Sequence, residues 1–281
     1  MKKILITTGK VLVFLIGWAL VGSIFPVSDS LDTSVWRFWA ELIPLLAIVG
    51  FTLLFWLFEK KRIKLQIVLS PLKDMIIGTV LGILWIGIPA IVFVLSGIMK
   101  ITACNTVPKL WLWVITVFIN AAMQELLVRG YLYQMLKVDY NVIVATVITT
   151  AFFTFMHGGA FQAGLVPVLN VITMSLLMTI VLEYTQSLLV PTIMHFIWNC
   201  VGGVILGGVV LADDYPHLCV TEFTGNKLLS GGEPKIEGSI IVLILNIVFI
   251  LVFSFLLRKR NLVNSHGENE HIIEEPEDAV I

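Results

Sequence analysis

The chain has 281 residues, of which 58% are hydrophobic and 13% are charged, and its mean hydropathy is +0.98. An ordinary soluble domain carries roughly 25% charged residues, so a water-soluble fold of this length could not cover its surface. The net charge of −1 and the three Cys also exclude a nucleic-acid-binding protein and a disulfide scaffold. The composition therefore predicts a polytopic membrane protein.

Eight apolar segments are predicted to cross the membrane, because about 20 apolar residues span a bilayer as a helix. Their apolar runs are continuous rather than alternating, which favours helices over a β-barrel. The fifth and sixth segments are short for a span. The N-terminal run also resembles a signal peptide, but it leads directly into further spans and no clear A-x-A site follows it. The predicted spans are 11–26, 38–58, 75–99, 110–136, 142–157, 165–182, 188–211 and 238–257.

The distribution of Lys and Arg predicts that both termini are cytoplasmic. With the N-terminus inside, eleven of these residues flank the spans on the cytoplasmic side and five lie outside, and an even number of spans returns the chain to the cytoplasm. Residues 262–281 carry six acidic residues and no Lys or Arg, which predicts a disordered acidic tail. We divide the rest into N-terminal helices (1–109), a core (110–211), and an outer loop with the last helix (212–261).

Polar groups inside spans are costly, and they gather in the fourth, fifth and seventh segments. In the fourth, Asn120 and Gln124 share one helix face, and Glu125 and Arg129 have the same spacing of four residues. Glu125 and Arg129 can pair, which lowers the cost of burying either. One interpretation is a helix that presents polar groups to a catalytic cavity. The alternative is that Arg129 reaches the cytoplasmic surface with Glu125 as its counter-ion.

The fifth and seventh segments carry His157, His195 and Asn199. His157 precedes two glycines, so it could be a helix-end residue at the membrane interface. His195 and Asn199 are four residues apart and therefore share a face of one buried helix. Two interpretations of these side chains are open: they have a catalytic role, or they form hydrogen bonds between helices.

Three segments resemble the motifs of the CAAX-protease and bacteriocin-processing family, also known as Abi or type II CAAX prenyl endopeptidase proteins. They are Gln-Glu-Leu-Leu-Val-Arg-Gly (124–130), Phe-Thr-Phe-Met-His (153–157) and His-Phe-Ile-Trp-Asn (195–199). The family motifs are Glu-Glu-x-x-x-Arg, Phe-x-x-x-His and His-x-x-x-Asn/Asp. The segment Gly-Gly-Glu-Pro-Lys-Ile-Glu-Gly-Ser before the last span is also similar. The resemblance covers roughly residues 110–202 and is specific because all three motifs occur in order on separate spans.

The resemblance implies intramembrane endopeptidase activity in a bacterial plasma membrane. Carried over to this chain, His157, His195 and Asn199 hold the catalytic water, either directly or through a divalent metal such as zinc. Two His and an Asn form a poor set of ligands for zinc, so His157 and His195 are only candidate ligands. A water held by these residues without a metal is equally consistent with the sequence. The resemblance also implies that Arg129 stabilises the acidic pair and that its second member, Glu125, supports the first.

Position 124 departs from the family pattern, because it is Gln where the family has the water-activating Glu. An amide can donate and accept hydrogen bonds but cannot take a proton near neutral pH. Three interpretations are open: a natural non-proteolytic member, a deliberately inactivated form, or a Glu125 that acts after a local helix distortion. Straight helices would also put these residues at different depths, so one site requires tilted or kinked helices.

We therefore expect an all-α protein of about eight transmembrane helices, with a polar cavity formed by the fourth, fifth and seventh. The expected function is hydrolysis of a peptide bond in a membrane-associated peptide or protein, with the bilayer and the substrate as partners and no nucleic acid. The alternative is a non-catalytic membrane scaffold or bacteriocin-immunity factor that binds through the same cavity. A transporter is less consistent, because no pair of Gly/Pro-broken helices is present. Cys104 and Cys219 fall in predicted outer loops and either pair or stay free.

Overall fold

A computed structural model describes residues 1–212 and 214–273, with side chains through residue 262. These residues are mostly helical, as the composition predicts. A helix-breaking feature separates most of the elements, such as Gly164 with a φ of +121° before α8. The helices are α1 (Lys2–Ile24), α2 (Thr33–Phe58), α3 (Pro71–Leu95), α4 (Leu110–Glu125), α5 (Tyr131–Asp139), α6 (Val142–Met156), α7 (Gly158–Ala163), α8 (Leu165–Thr185), α9 (Leu189–Ile197), α10 (Lys227–Ser230) and α11 (Ile240–Ile273).

Two of the helices continue through wider, π-helical turns. The segment Leu126–Gly130 joins α4 to α5, and Trp198–Ile205 extends α9. Such turns are rare and are frequently found at functional sites, and each inserts one extra residue into the helix. Both contain residues of the sequence motifs, namely Arg129 in the first segment and Asn199 in the second.

Six helices within the described residues are long and apolar enough to cross a membrane. The predicted fifth and seventh segments form the shorter apolar helices Val142–Met156 and Leu189–Ile205. The sixth segment was expected to be short, but α8 continues to Thr185 and includes Glu183, whose carboxylate is paired with Lys137 at 2.6 Å. The seventh was expected to reach residue 211, but its helix ends at Ile205, before Gly207 with a φ of +60°.

Close contact with α3 fixes the position of α9. A Cβ atom added to Gly78 or Gly82 would lie within 3 Å of Ile193 or Ile197, so only glycine permits this approach. One turn further along α3, the Trp85 ring stacks on that of Trp198, with centroids 4.2 Å apart. These contacts hold the helix that carries the third motif.

The remaining helices complete the frame around the site. Helix α4 packs between α2 and α9, and α8 packs against α6 and α11. Asp32 caps the start of α2 and Asn141 caps that of α6, each by accepting a backbone N–H two or three residues later. The motif-bearing helices therefore lie in the interior of the bundle.

Two segments that the sequence analysis assigned to outer loops form a small antiparallel sheet. Strand β1 (Met99–Cys104) pairs with β2 (Cys219–Phe223), and Cys104 lies directly opposite Cys219. Cys200, which was expected to be a small packing residue, is buried beside Val117 and Val204. The sheet connects the segment before α4 with the segment that follows α9.

Helix α11 extends beyond the predicted last span. It continues to Ile273, although residues from 262 onward were expected to be a disordered tail. Adding turns to an existing helix avoids the cost of nucleation, which explains why a polar sequence can continue a long apolar helix. Residues 274–281 of the predicted tail lie outside the described residues.

Candidate active site

The first motif lies where α4 ends, and its two charged side chains are fully buried. Glu125 and Arg129 each have 0% exposed surface, and Arg129 Nη1 donates to Glu125 Oε2 at 2.8 Å. The alternative in which Arg129 reaches the cytoplasmic surface is therefore wrong. A buried ion pair is tolerated when its remaining hydrogen-bonding groups are also satisfied.

Residues of α8 accept hydrogen bonds from the other nitrogens of the Arg129 guanidinium. Its Nη2 donates to the backbone carbonyl and the hydroxyl of Ser175, each at 2.8 Å, and its Nε donates to Thr179 Oγ1 at 3.2 Å. The Phe153 ring lies against the guanidinium at 5.1 Å. Arg129 thus connects α4, α6 and α8.

The second oxygen of Glu125 contacts His195 on α9. The distance between Glu125 Oε1 and His195 Nδ1 is 3.0 Å, and the imidazole is 2% exposed. Because an ionised carboxylate only accepts hydrogen bonds, Nδ1 carries the proton and Nε2 is left as an acceptor. Glu125 therefore acts on the orientation of His195, and its carboxylate is not among the groups that line the cavity.

His157 follows the last residue of α6 and shows the same pattern. Its Nδ1 donates to the backbone carbonyl of Phe153 at 2.8 Å, which again leaves Nε2 as an acceptor. The Phe153 ring lies between the two imidazoles, with centroid distances of 4.3 Å to His157 and 6.3 Å to His195. The second and third motifs therefore meet at one aromatic ring.

A cavity of about 330 Å³ brings the other predicted residues together. Gln124, His157, His195 and Asn199 all line it, while Glu125 and Arg129 lie behind its wall. His157 reaches this cavity as the first residue after α6, which ends at Met156. The roles of these residues stay predictions.

Several cavity residues were missed in the sequence analysis. Ionisable groups were expected only in the fourth, fifth and seventh segments, yet Glu41 of α2 is 6% exposed and lines the cavity. An intramembrane carboxylate is a signal in its own right, so the sequence could have shown it. The other missed residues come from the first turns of α2, the loop after α9 and the segment before α11, and they include Arg37, Tyr215 and Glu237.

Glu237 lies in a short 3₁₀ turn, Lys235–Gly238, that is tightly held. Its backbone carbonyl accepts from Asn170 Nδ2 at 2.7 Å, and its carboxylate accepts from the Val210 N–H at 3.0 Å. A Cβ at Gly238 would lie 2.1 Å from the Gly231 carbonyl, so the loop closes only with glycine there. Burial raises the pKa of Glu237 to about 7, although the Val210 N–H opposes this shift.

The donor groups at the cavity do not fit a catalytic zinc ion. Such an ion needs three good protein ligands, and an amide oxygen such as that of Asn199 binds zinc weakly. Glu125 is already engaged by Arg129 and His195. Across the described residues, no group of three His, Cys, Asp or Glu side chains is placed to hold one ion.

Comparison with known proteins gives one match. Residues 106–201 match the family model described as Rce1-like, type II CAAX prenyl endopeptidase Rce1-like. The matched segment contains all three motifs, so the resemblance predicted from them is confirmed. The match covers less than half of the chain. No curated protein and no solved structure matches the chain.

Proposed function

We propose, from the match of residues 106–201 to the Rce1-like endopeptidase family model, that the protein hydrolyses a peptide bond of a membrane-associated peptide or protein. The observation that carries this proposal is the buried Glu125–His195 pair, whose imidazole opens onto the cavity shared by His157, Asn199 and Gln124. A carboxylate that orients an imidazole in this way is the arrangement by which proteases prepare a general base.

In the proposed reaction, water attacks the carbonyl carbon of the scissile bond and gives its proton to His195 Nε2. Glu125 stays ionised beside Arg129 and stabilises the imidazolium that forms. The side-chain amide of Asn199 donates to the oxyanion of the tetrahedral intermediate. The proton then passes from His195 to the amide nitrogen, the C–N bond breaks, and a carboxylic acid and an amine leave.

Gln124 limits the rate in this mechanism. Its amide oxygen can accept a hydrogen bond from the attacking water but cannot remove the proton. The family pattern has a carboxylate at this position, so we propose slow turnover for this chain. No metal enters the mechanism, because the donor set described above is incomplete for zinc.

We propose that all eight apolar helices cross a bacterial plasma membrane, with both termini in the cytoplasm. The lining of the cavity includes Arg37, Tyr215 and Glu237, which belong to elements on the outer side in this topology. The substrate would then enter from the outer face or the outer leaflet. In a variant with Cys104 and Cys219 replaced by Ser, a cysteine introduced at Thr224, an exposed position in the same outer loop, should react with an impermeant reagent from outside.

The test of catalysis is a single-turnover assay in liposomes with a library of membrane-associated peptides. His195→Ala serves as the blank, and Glu222→Gln, at an exposed position on β2, serves as the matched control. Cleavage that is lost in the first variant and retained in the second supports the proposal. Cleavage that survives His195→Ala would refute the assigned base.

The second candidate is a non-catalytic membrane scaffold or immunity factor. Gln124 favours it, because the position that should hold the base has no titratable group. This candidate predicts peptide binding without cleavage, and binding that His195→Ala leaves unchanged. A partner's transmembrane segment would then occupy the cavity.

A further inference from the structure

A chain of polar side chains runs from the outer loop to position 124. Asp214 Oδ2 accepts from Arg37 Nε at 2.8 Å, and Arg37 Nη1 lies 3.4 Å from Glu41 Oε1. Asn120 Nδ2 donates to Glu41 Oε2 at 2.8 Å, and Gln124 Nε2 donates to Asn120 Oδ1 at 2.9 Å. The chain ends at Gln124 Oε1, which is buried and has no hydrogen-bond partner among the described residues.

The carboxylate in this chain determines which way both amides face. Each described hydrogen-bond partner of Glu41 is a donor, namely Arg37, the Tyr215 hydroxyl at 3.4 Å and the Asn120 amide. A carboxylate only accepts, so Asn120 must turn its nitrogen to Glu41 and its oxygen to Gln124. Gln124 must then turn its nitrogen to Asn120, which leaves its oxygen as the unpartnered end of a side chain that lines the cavity.

We propose that Glu41 is a positioning residue that, through Asn120, makes Gln124 present an acceptor to the attacking water. This inference rests on the proposed function and adds a residue outside the family match, which begins at residue 106. A buried acceptor without a partner costs free energy, and a water that donates to Gln124 Oε1 removes that cost. The same water then turns a lone pair toward the substrate carbonyl.

Glu41→Gln should reverse the whole chain. Arg37 and Tyr215 are donors, so they select the oxygen of the new amide and leave its nitrogen facing Asn120. Asn120 then accepts from position 41 and donates to Gln124, which turns its own nitrogen to the cavity. The water loses its acceptor, and we expect kcat to fall about tenfold with KM unchanged, the factor that one ordinary hydrogen bond supplies.

The same substitution should have the opposite consequence in a Gln124→Glu background. There the cavity group is a carboxylate with two equivalent oxygens, and it needs a donor from Asn120. The reversed chain supplies that donor, so Glu41→Gln should leave kcat unchanged or raise it. A merely structural role for Glu41 would lower kcat by the same factor in both backgrounds, and that result would overturn the proposal.

Two controls separate this inference from the proposed function. Glu59→Gln changes another carboxylate at the far end of α2, where its partners are Lys10 and Arg62, and it should leave kcat unchanged. Hydrogen exchange of the side-chain amides, followed by NMR, needs no catalysis. The amide protons of Asn120 and Gln124 should both be protected in the parent chain, and those of Gln124 should lose protection in Glu41→Gln. Unchanged protection would refute the inference even if no peptide is cleaved.

Discussion

Replacing Glu125 by Gln removes one charge from a pair with no exposed surface and leaves the shape of the side chain nearly unchanged. Arg129 would keep its hydrogen bonds to Ser175 and Thr179, but its charge would have no counter-ion. Removing one partner of a buried pair costs about 3–5 kcal/mol. We expect the lower end, about 3 kcal/mol, because three hydrogen bonds from the guanidinium survive.

The expected loss of activity has a separate cause. An amide at position 125 can either accept from or donate to His195 Nδ1, so the tautomer with Nε2 as acceptor is no longer enforced. General-base catalysis is typically worth 10²–10⁴-fold, and we expect a loss in that range. Cleavage by Glu125→Gln at the parental rate would show that His195 is not oriented by this carboxylate.

Stability is measured by unfolding the protein with SDS in mixed micelles and following tryptophan fluorescence. The matched control is Glu222→Gln, whose carboxylate is exposed. Arg129→Met and the double variant complete a thermodynamic cycle, in which the double variant should be destabilised by less than the sum of the two single changes. Additive effects, or a Glu125→Gln protein as stable as the control, would refute the buried-pair argument.

Three further predictions concern other parts of the molecule. Gln124→Glu should raise the single-turnover rate about 10²-fold, the low end of the general-base range because His195 already accepts the proton, and equal rates would remove position 124 from the mechanism. Burial raises the pKa of Glu237 to about 7, so the folded chain holds this proton more tightly than the unfolded chain. The protonated carboxyl therefore contributes to stability at acid pH, and this contribution is lost as the pH rises toward 7. Glu237→Gln should therefore flatten the SDS-unfolding profile between about pH 5 and pH 8, and an unchanged profile would contradict the assignment. Cys104 and Cys219 lie opposite each other across β1 and β2, so an oxidant applied outside whole cells should join them, as measured by protection from a maleimide mass tag; continued labelling of both would contradict the pairing or the topology.

The sequence predicted the helical class because continuous apolar runs and a low charge content leave few other solutions. Helix ends were harder to predict, since they depend on tertiary contacts. Helix α8 continues past Glu183, whose carboxylate is paired with Lys137 of α5, and ends before Gln186, which has a φ of +57°. Strands β1 and β2 come from two distant loops, and no local pattern indicates that they pair.

The candidate site was predicted where residues repeat at helical spacing, as for Glu125 with Arg129 and His195 with Asn199. The pairing of Glu125 with His195 joins two helices, and nothing in the spacing of either helix specifies it. Glu41 was overlooked because it lies alone in its span. Its importance follows from Asn120 and Gln124, which it reaches only in the folded bundle.

The two π-helical segments set how far the helix that follows each motif is rotated relative to the motif. Each wide turn adds one residue, so everything that follows is rotated by about 100° relative to a regular helix. In that rotated phase, Tyr133 and Lys137 of α5 contact Glu183. Deleting Gly130 would therefore keep Glu125 and Arg129 in register and turn the anchoring face of α5 away from α8. In a helix with a single 3.6-residue period, the site residues and the packing residues that follow them could not both face their partners. The extra residue allows both, and each set of residues can change during evolution without disturbing the other.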